Sequence, residues 1–279
     1  MFDRGPYIMG VLNTTPDSFS DGGVFDATKD AIVRGRKVMD EGADILDIGG
    51  ESTRPGAAPV DVETEQARVI PVVEALAGEV RARGKWLSID SRNAATMRAA
   101  LDAGATMIND VSALSHDPQA VAVAAEWDVP ICLMHMAGTP QDMQDRAVYT
   151  DVVAEVYNYL EQRIEACAAA GIARERLIVD PGIGFGKTLA QNLELLRNLA
   201  RFHDLGVPVL LGASRKSFIP KTCEQDVAAQ DRLPGSLAAV IEGCHAGVQM
   251  FRVHDVWQTK QALDITMAMH YHQSAEYAA

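Results

Sequence analysis

The stretch from Leu177 to Lys187 reads LIVDPGIGFGK: a short apolar run that ends in a carboxylate, Asp180, followed at once by a proline and three glycines. Such a segment is predicted to be a buried strand whose backbone then turns sharply and can approach a ligand closely. An ionisable group at the carboxyl end of a buried strand is placed for chemistry. The arrangement recurs along the chain, where other apolar runs end in Asn13, in Asp47 with the loop 49–54, in Asp90, in Asn109 and Asp110, in His135, in Ser214 to Lys216, and in Arg252 with His254. The set divides by charge. Asp90, Asn109 and Asp180 offer acceptors and an amide, which suits a heterocycle displaying adjacent N–H groups, because one carboxylate can accept two parallel hydrogen bonds. Arg54, Arg215, Lys216, Arg252 and His254 offer donors and positive charge, which suits a phosphate or diphosphate. Any one of these charges alone reads as a salt bridge or a solvated face. Gathered at one rim, they read as a site for an anionic small molecule. His135, between Met134 and Met136, reads equally well as a general base or as a packed wall residue.

Two familiar phosphate motifs do not fit. Gly186-Lys187-Thr188 resembles the end of a P-loop, but position 181 holds Pro where that motif needs Gly. The dinucleotide fingerprint fails as well, since the glycines fall at 182, 184 and 186 and the position three after Gly184 is Lys187.

The elements that must position these groups are eight short apolar runs, at 7–12, 44–48, 86–89, 106–108, 131–134, 177–179, 207–211 and 249–253. Most are continuously hydrophobic, the pattern of strands covered on both faces. Helical periodicity fills the intervals. The segment 26–41 places Ala31, Ile32, Val38 and Met39 on one side. The segment 61–83 opens on a capping Asp61 and carries Pro71, which is expected to kink it. Asp117-Pro118 reads as a cap and first-turn proline for a helix over 119–126. Residues 150–170 form a long regular helix pattern, and Asp255 to Gln258 resembles a capping box before the last helix. Gly42, Gly104, Gly171 and Gly247 each end a helix pattern just before the next strand. Eight such units predict a single (β/α)8 TIM barrel over 1–279, with long, mobile loops after the first and second strands. A doubly wound open sheet is the alternative.

Composition narrows the function classes. With 279 residues and 48% hydrophobic content the chain can bury a large core. A formal charge of −13 argues against nucleic acid as a partner. Cys132, Cys167, Cys223 and Cys244 form no CxxC pair, which fits a reducing compartment rather than a zinc or disulfide framework. Asp3, Arg4 and Pro6 interrupt the start, so no signal peptide is read there. No apolar run is long enough to span a membrane. A cytoplasmic protein is expected.

Longer motifs carry a resemblance. MGVLNTTPDSFSDGG at 9–23 is similar to the first loop of the dihydropteroate synthase family, DIGGESTRPG at 47–56 to its second, and DPGIGFGK at 180–187 to its pterin-site turn. Ser214-Arg215-Lys216 and Arg252-Val253-His254-Asp255 complete the set, so the resemblance runs along essentially the whole chain. It implies the barrel fold and the condensation of a dihydropterin methyl diphosphate with 4-aminobenzoate. By motif position it implies that Asp90, Asn109, Asp180 and Lys216 bind the pterin and that Thr53, Arg252 and His254 hold the diphosphate. Phe19, Arg54, Pro55 and Ser214 would surround the aminobenzoate, where sulfonamides bind in this family. Asn13 would be a ligand to Mg²⁺ carried by the diphosphate. Asp90, Lys216, Arg252 and Arg54 would carry the catalysis, residues 17–23 would act as a lid, and the late helices would build a homodimer. Two departures stand out: Thr14 replaces a small aliphatic residue, and Ser91-Arg92 replaces a Thr and a smaller residue. The start of the chain also leaves little room for the amino-terminal hairpin of many relatives. Two rival readings share the fold, a methyltetrahydrofolate–corrinoid methyltransferase and a non-catalytic pterin-binding protein. The diphosphate clamp at 214–216 and 252–254 speaks against the first, and the presence of Asn13, Arg54 and Arg252 against the second.

Overall fold

A computed structural model describes residue 2 and residues 5–15, 24–52 and 56–270, the side chains of residues 24–26 excepted. Eight parallel strands alternate with helices. They are β1 (Tyr7–Asn13), β2 (Ile45–Gly49), β3 (Trp86–Asp90), β4 (Met107–Asp110), β5 (Ile131–Met134), β6 (Leu177–Asp180), β7 (Leu210–Leu211) and β8 (Met250–Val253). They are hydrogen-bonded in the order β6-β5-β4-β3-β2-β1-β8-β7. A parallel bridge between Val179 and Val209, with Val179 N donating to Pro208 O at 2.9 Å, brings β6 beside β7 and closes the ring. Closure excludes the open doubly wound sheet and gives the (β/α)8 barrel.

The helices are α1 (Val24–Asp40), α2 (Val62–Ala82), α3 (Ala94–Asp102), α4 (Ala120–Glu126), α5 (Val152–Ala169), α6 (Leu189–Arg197), α7 (Phe218–Cys223), α8 (Leu233–His245) and α9 (Val256–His270). The short α7 is an addition to the eightfold repeat, inserted between β7 and α8. Gly42, Gly104, Gly171 and Gly247 all hold positive φ just after a helix, as their spacing predicts. Asp61 caps α2 by accepting from Thr64 N at 2.7 Å, and α2 continues through Pro71 as one helix.

Three boundaries differ from the sequence expectation, each for a local reason. The seventh strand is two residues rather than five, because Pro208 has no N–H and Val209 N donates to the Gln249 side chain at 2.8 Å. Asp117 does not open α4, which starts at Ala120. Its carboxylate instead accepts from Gln119 N and, across the loop, from Ala94 N, both at 2.9 Å, so it caps α3, whose own Asn93 makes no side-chain cap. Asp255 makes no capping box, since its carboxylate is taken by Arg215.

Alternation along the strands sorts the core. One side of each strand packs against the helices: Leu46, Ile48, Leu87, Ile89, Leu133 and Val179 are among these. The other side fills the barrel, where Met9, Ile45, Met107, Cys132, Ile178, Leu210 and Met250 form one buried layer. Beneath it Phe2 plugs the floor, edge-on to Tyr7 at 5.1 Å and tilted on Trp86 at 5.4 Å. Two residues further along, the inward set becomes Val11, Asp47, Asn109, Met134, Asp180, Gly212 and Arg252. A greasy layer below and a polar layer above follow from one period of two.

Candidate active site

The upper layer opens into a cavity at the carboxyl ends of the strands. Asn109, Met134, Asp180, Ser214, Lys216, Arg252 and His254 line it, with Val111, Phe185 and Gly212. The structure therefore brings together six of the residues singled out from the sequence. Asp90 stands behind Arg252, whose Nη2 donates to its Oδ2 at 2.6 Å. Asn13 ends β1, half-buried, at the level of Gly49 and outside the cavity lining. Thr53, Arg54, Pro55 and Phe19, with the proposed lid 17–23, lie outside the described residues.

Local folding explains the placements. Asp180 Oδ1 accepts from Gly182 N at 2.7 Å, which fixes the turn directly after β6. Gly182 has φ +70 and a Cβ there would lie 1.9 Å from His135 O, so only glycine allows this approach. The turn is held from inside by Lys187, 3% exposed, whose Nζ donates to Gly182 O and Phe185 O at 2.9 Å and meets His135 Nδ1 at 3.0 Å. His135 is thus a packed wall residue, edge-on to Tyr159 and outside the cavity. Phe185, set by that turn, lies under Lys216 Nζ at 3.7 Å. The sequence reading left Phe185 out, although it stands inside the DPGIGFGK motif.

The charges are not divided into two walls as the sequence suggests. Arg252 lies between carboxylates, donating through Nε to Asp47 Oδ2 at 2.7 Å and through Nη2 to Asp90. Buried charges must be paired, and that requirement interleaves the signs. Arg215 leaves the rim altogether, adopting φ 59 and donating to Asp255. His254 carries no positive charge: burial, with the Arg252 and Arg215 cations, pushes its ring down to about 3. Its N–H donates to Ser214 Oγ at 3.2 Å, and its Nδ1 meets the same oxygen at 3.1 Å. A hydroxyl that accepts from the backbone is free to donate to Nδ1, which leaves Nε2–H as a donor on the far side of the ring.

Protonation follows burial. Burial pushes the Asp180 carboxyl up, against its bond from Gly182 and the nearby Lys216 cation. Burial also raises Asp90, opposed by Arg252 and reinforced by Asp47. Lys216 is pushed down by the same desolvation, while Asp180 pulls it back. Asp110, expected at the mouth, turns away and builds the next loop, accepting from Ser112 N, Ser112 Oγ and Leu114 N at 2.7–2.8 Å. Arg92, one of the departures from the motif, makes a buried pair with Glu51 at 3.0 and 2.9 Å and so roots the second loop.

Fold and site together define a barrel enzyme that takes a polar heterocycle at the carboxyl ends of its strands. The chain belongs to the pterin-binding enzyme family, whose model matches residues 9–254. It is 47% identical over 263 residues to the dihydropteroate synthase of Escherichia coli K12, covering 94% of this chain and 91% of that one. It is similar to the structure of Xanthomonas albilineans dihydropteroate synthase with 4-aminobenzoic acid, with a TM-score of 0.90, 47% identity and coverage of 97% and 95%. It is also similar to Yersinia pestis dihydropteroate synthase in complex with a sulfonamide drug, with a TM-score of 0.89, 43% identity and coverage of 96% and 95%.

Proposed function

We propose that this chain joins a (7,8-dihydropterin-6-yl)methyl diphosphate to 4-aminobenzoate, forming 7,8-dihydropteroate and releasing diphosphate, a step of folate biosynthesis. The observation that carries the proposal is the convergence of Asn109 and Asp180 with Lys216, Arg252, Ser214 and His254 on one cavity at the strand ends. Asp90, Asn109, Asp180 and Lys216 would bind the pterin. Carboxylates accept from its ring N–H groups, and Lys216 donates to a ring acceptor. His254 Nε2–H and Arg252 would meet the diphosphate, with Thr53 from the second loop. Ser214, Phe19, Arg54 and Pro55 would surround the aminobenzoate by their place in the motifs, and a sulfonamide would compete there.

No side-chain nucleophile is required. The C–O bond to diphosphate breaks and its electron pair leaves with the phosphate. The amine nitrogen of aminobenzoate attacks the exposed methylene carbon and gives up a proton. Donors aimed at the departing oxygens, Arg252 and His254, act where charge develops, while Asp90 and Asp180 stabilise the electron-poor ring. Asn13 offers a single neutral oxygen, and the described residues hold no cluster of three or more His, Cys, Asp or Glu side chains that could bind a metal. That donor set fits Mg²⁺ arriving with the diphosphate and keeping most of its waters. When bound, the ion would neutralise leaving-group charge.

A coupled assay for diphosphate release tests the reaction, with each substrate omitted in turn. Release is expected only at full rate with both, and an equal rate without 4-aminobenzoate would overturn the proposal. The proposal extends to a cytoplasmic homodimer acting as one domain. No described helix is long and apolar enough to cross a membrane, and the four cysteines form no disulfide. Trp257, Ile265 and Met269 are exposed on α9, which supports a partner on the late helices. Sedimentation at micromolar concentration reads the dimer.

A further inference from the structure

Asp47 is fully buried in the middle of the barrel's polar layer and does not line the cavity. Its Oδ2 accepts from two side chains that do, Arg252 Nε at 2.7 Å and Asn109 Nδ2 at 3.1 Å. Its Oδ1 is buried with no partner in the described residues. A buried carboxylate with an unpartnered oxygen is costlier than an apolar side chain of similar size, so stability does not account for it. What it holds does. Asp47, Asp90 and Arg252 put two carboxylates around one guanidinium, which leaves negative charge in excess. Asp90 therefore keeps acceptor capacity while paired. Without Asp47, the guanidinium would close on Asp90 alone as a neutral pair, and the Asn109 amide would lose the acceptor that sets which way it faces.

We infer that Asp47 is a positioning residue: it holds Arg252 and Asn109 from below and so leaves Asp90 open to the N–H groups of a pterin. The inference rests on reading the cavity as a pterin pocket. Asp47 belongs to the site through its neighbours and touches no reacting atom.

The test is calorimetric titration of pterin-6-carboxylate into wild type, D47N, R252Q and D47N/R252Q. D47N is expected to weaken binding by at least about tenfold, the loss of a buried charged contact acting through two side chains. In the R252Q background the same change should alter affinity by less than about threefold, because coupled residues are not additive. A D47N protein within threefold of wild type, or a further tenfold loss in the double variant, would overturn the inference. If D47N alone does not fold, the comparison of D47N/R252Q with R252Q applies the same limit. The ¹⁵N resonance of Arg252 Nε–H in ligand-free protein separates the two readings. Wild type that binds no pterin sinks the pocket assignment. An Nε–H signal that is protected from exchange in wild type and unchanged in D47N sinks the positioning role.

Discussion

Replacing Lys187 with Met should change how stability responds to pH more than it changes stability at neutrality. The ammonium is 3% exposed, and burial pushes it from 10.5 down to about 7, with Lys216 adding to the depression and Asp180 opposing it. The unfolded chain therefore binds this proton more tightly than the fold does, so stability rises with pH between about 7 and 10.5. Integrated from pH 7 to pH 9, the gain is about 2 kcal/mol from this one group. At pH 7 the buried charge costs about 4 kcal/mol. Lys187→Met removes that cost but leaves Phe185 O without a donor and His135 Nδ1 without a partner, at about 1–3 kcal/mol each, while Gly182 O keeps the Phe185 N–H at 3.1 Å. The two effects nearly cancel at pH 7, and the variant falls behind wild type by about 2 kcal/mol more at pH 9. His135 stays neutral throughout, pushed down to about 3 by burial and by Lys187. The neutral amine thus keeps both carbonyls bonded and turns its lone pair to His135 Nδ1–H. Urea unfolding of both proteins at pH 7, 8 and 9 reads the difference. Parallel curves would mean that Lys187 is charged through the whole range, and the account of the turn would fail.

Other expectations follow from single contacts. Gly182→Ala puts a Cβ 1.9 Å from His135 O at φ +70, so pterin binding should be lost and the melting temperature lowered; unchanged binding would show a turn that can move. Arg92→Met strands the buried Glu51 carboxylate at a cost of about 3–5 kcal/mol in urea unfolding, and E51Q/R92M should recover most of it. Asp180→Asn places an amide where a carboxylate accepts from Gly182 N, and calorimetry should show pterin affinity lower by about 2–4 kcal/mol with the fold retained.

How much of this could be read in the sequence depends on range. The strands were legible because a parallel strand buried on both faces is a continuous apolar run, and the helix ends because positive φ demands glycine at 42, 104, 171 and 247. The cavity lining was legible for the same reason: strand ends converge at one mouth of a barrel, so residues far apart in the chain meet. Partner choice was not legible. Arg215 and Asp255, Arg252 and Asp47, and Asp117 and Ala94 are pairs set by closure of the ring and by packing across it. Asp47 was visible as a strand-end carboxylate, yet its place beneath Asp90 needs the register Asp47↔Ser88 and Gly49↔Asp90, which no local pattern states.

Those pairs bear on what ligand affinity means here. In the structure Arg252 is held by Asp47 and Asp90, Ser214 by His254, and Asp180 by Gly182 N. A pterin donating to Asp90 and Asp180, as proposed, would exchange partners in a buried layer, and its measured affinity would be the difference between the new bonds and the old. Exchange is least costly where the displaced group keeps another partner. Arg252 does, because Asp47 remains when Asp90 turns to the ligand. Affinity for the pterin should thus depend on a residue that never touches it, and the phosphate end should feel the same residue through Arg252. One buried carboxylate would then couple the two halves of the substrate site, which is a reason for the barrel to tolerate its unpartnered oxygen.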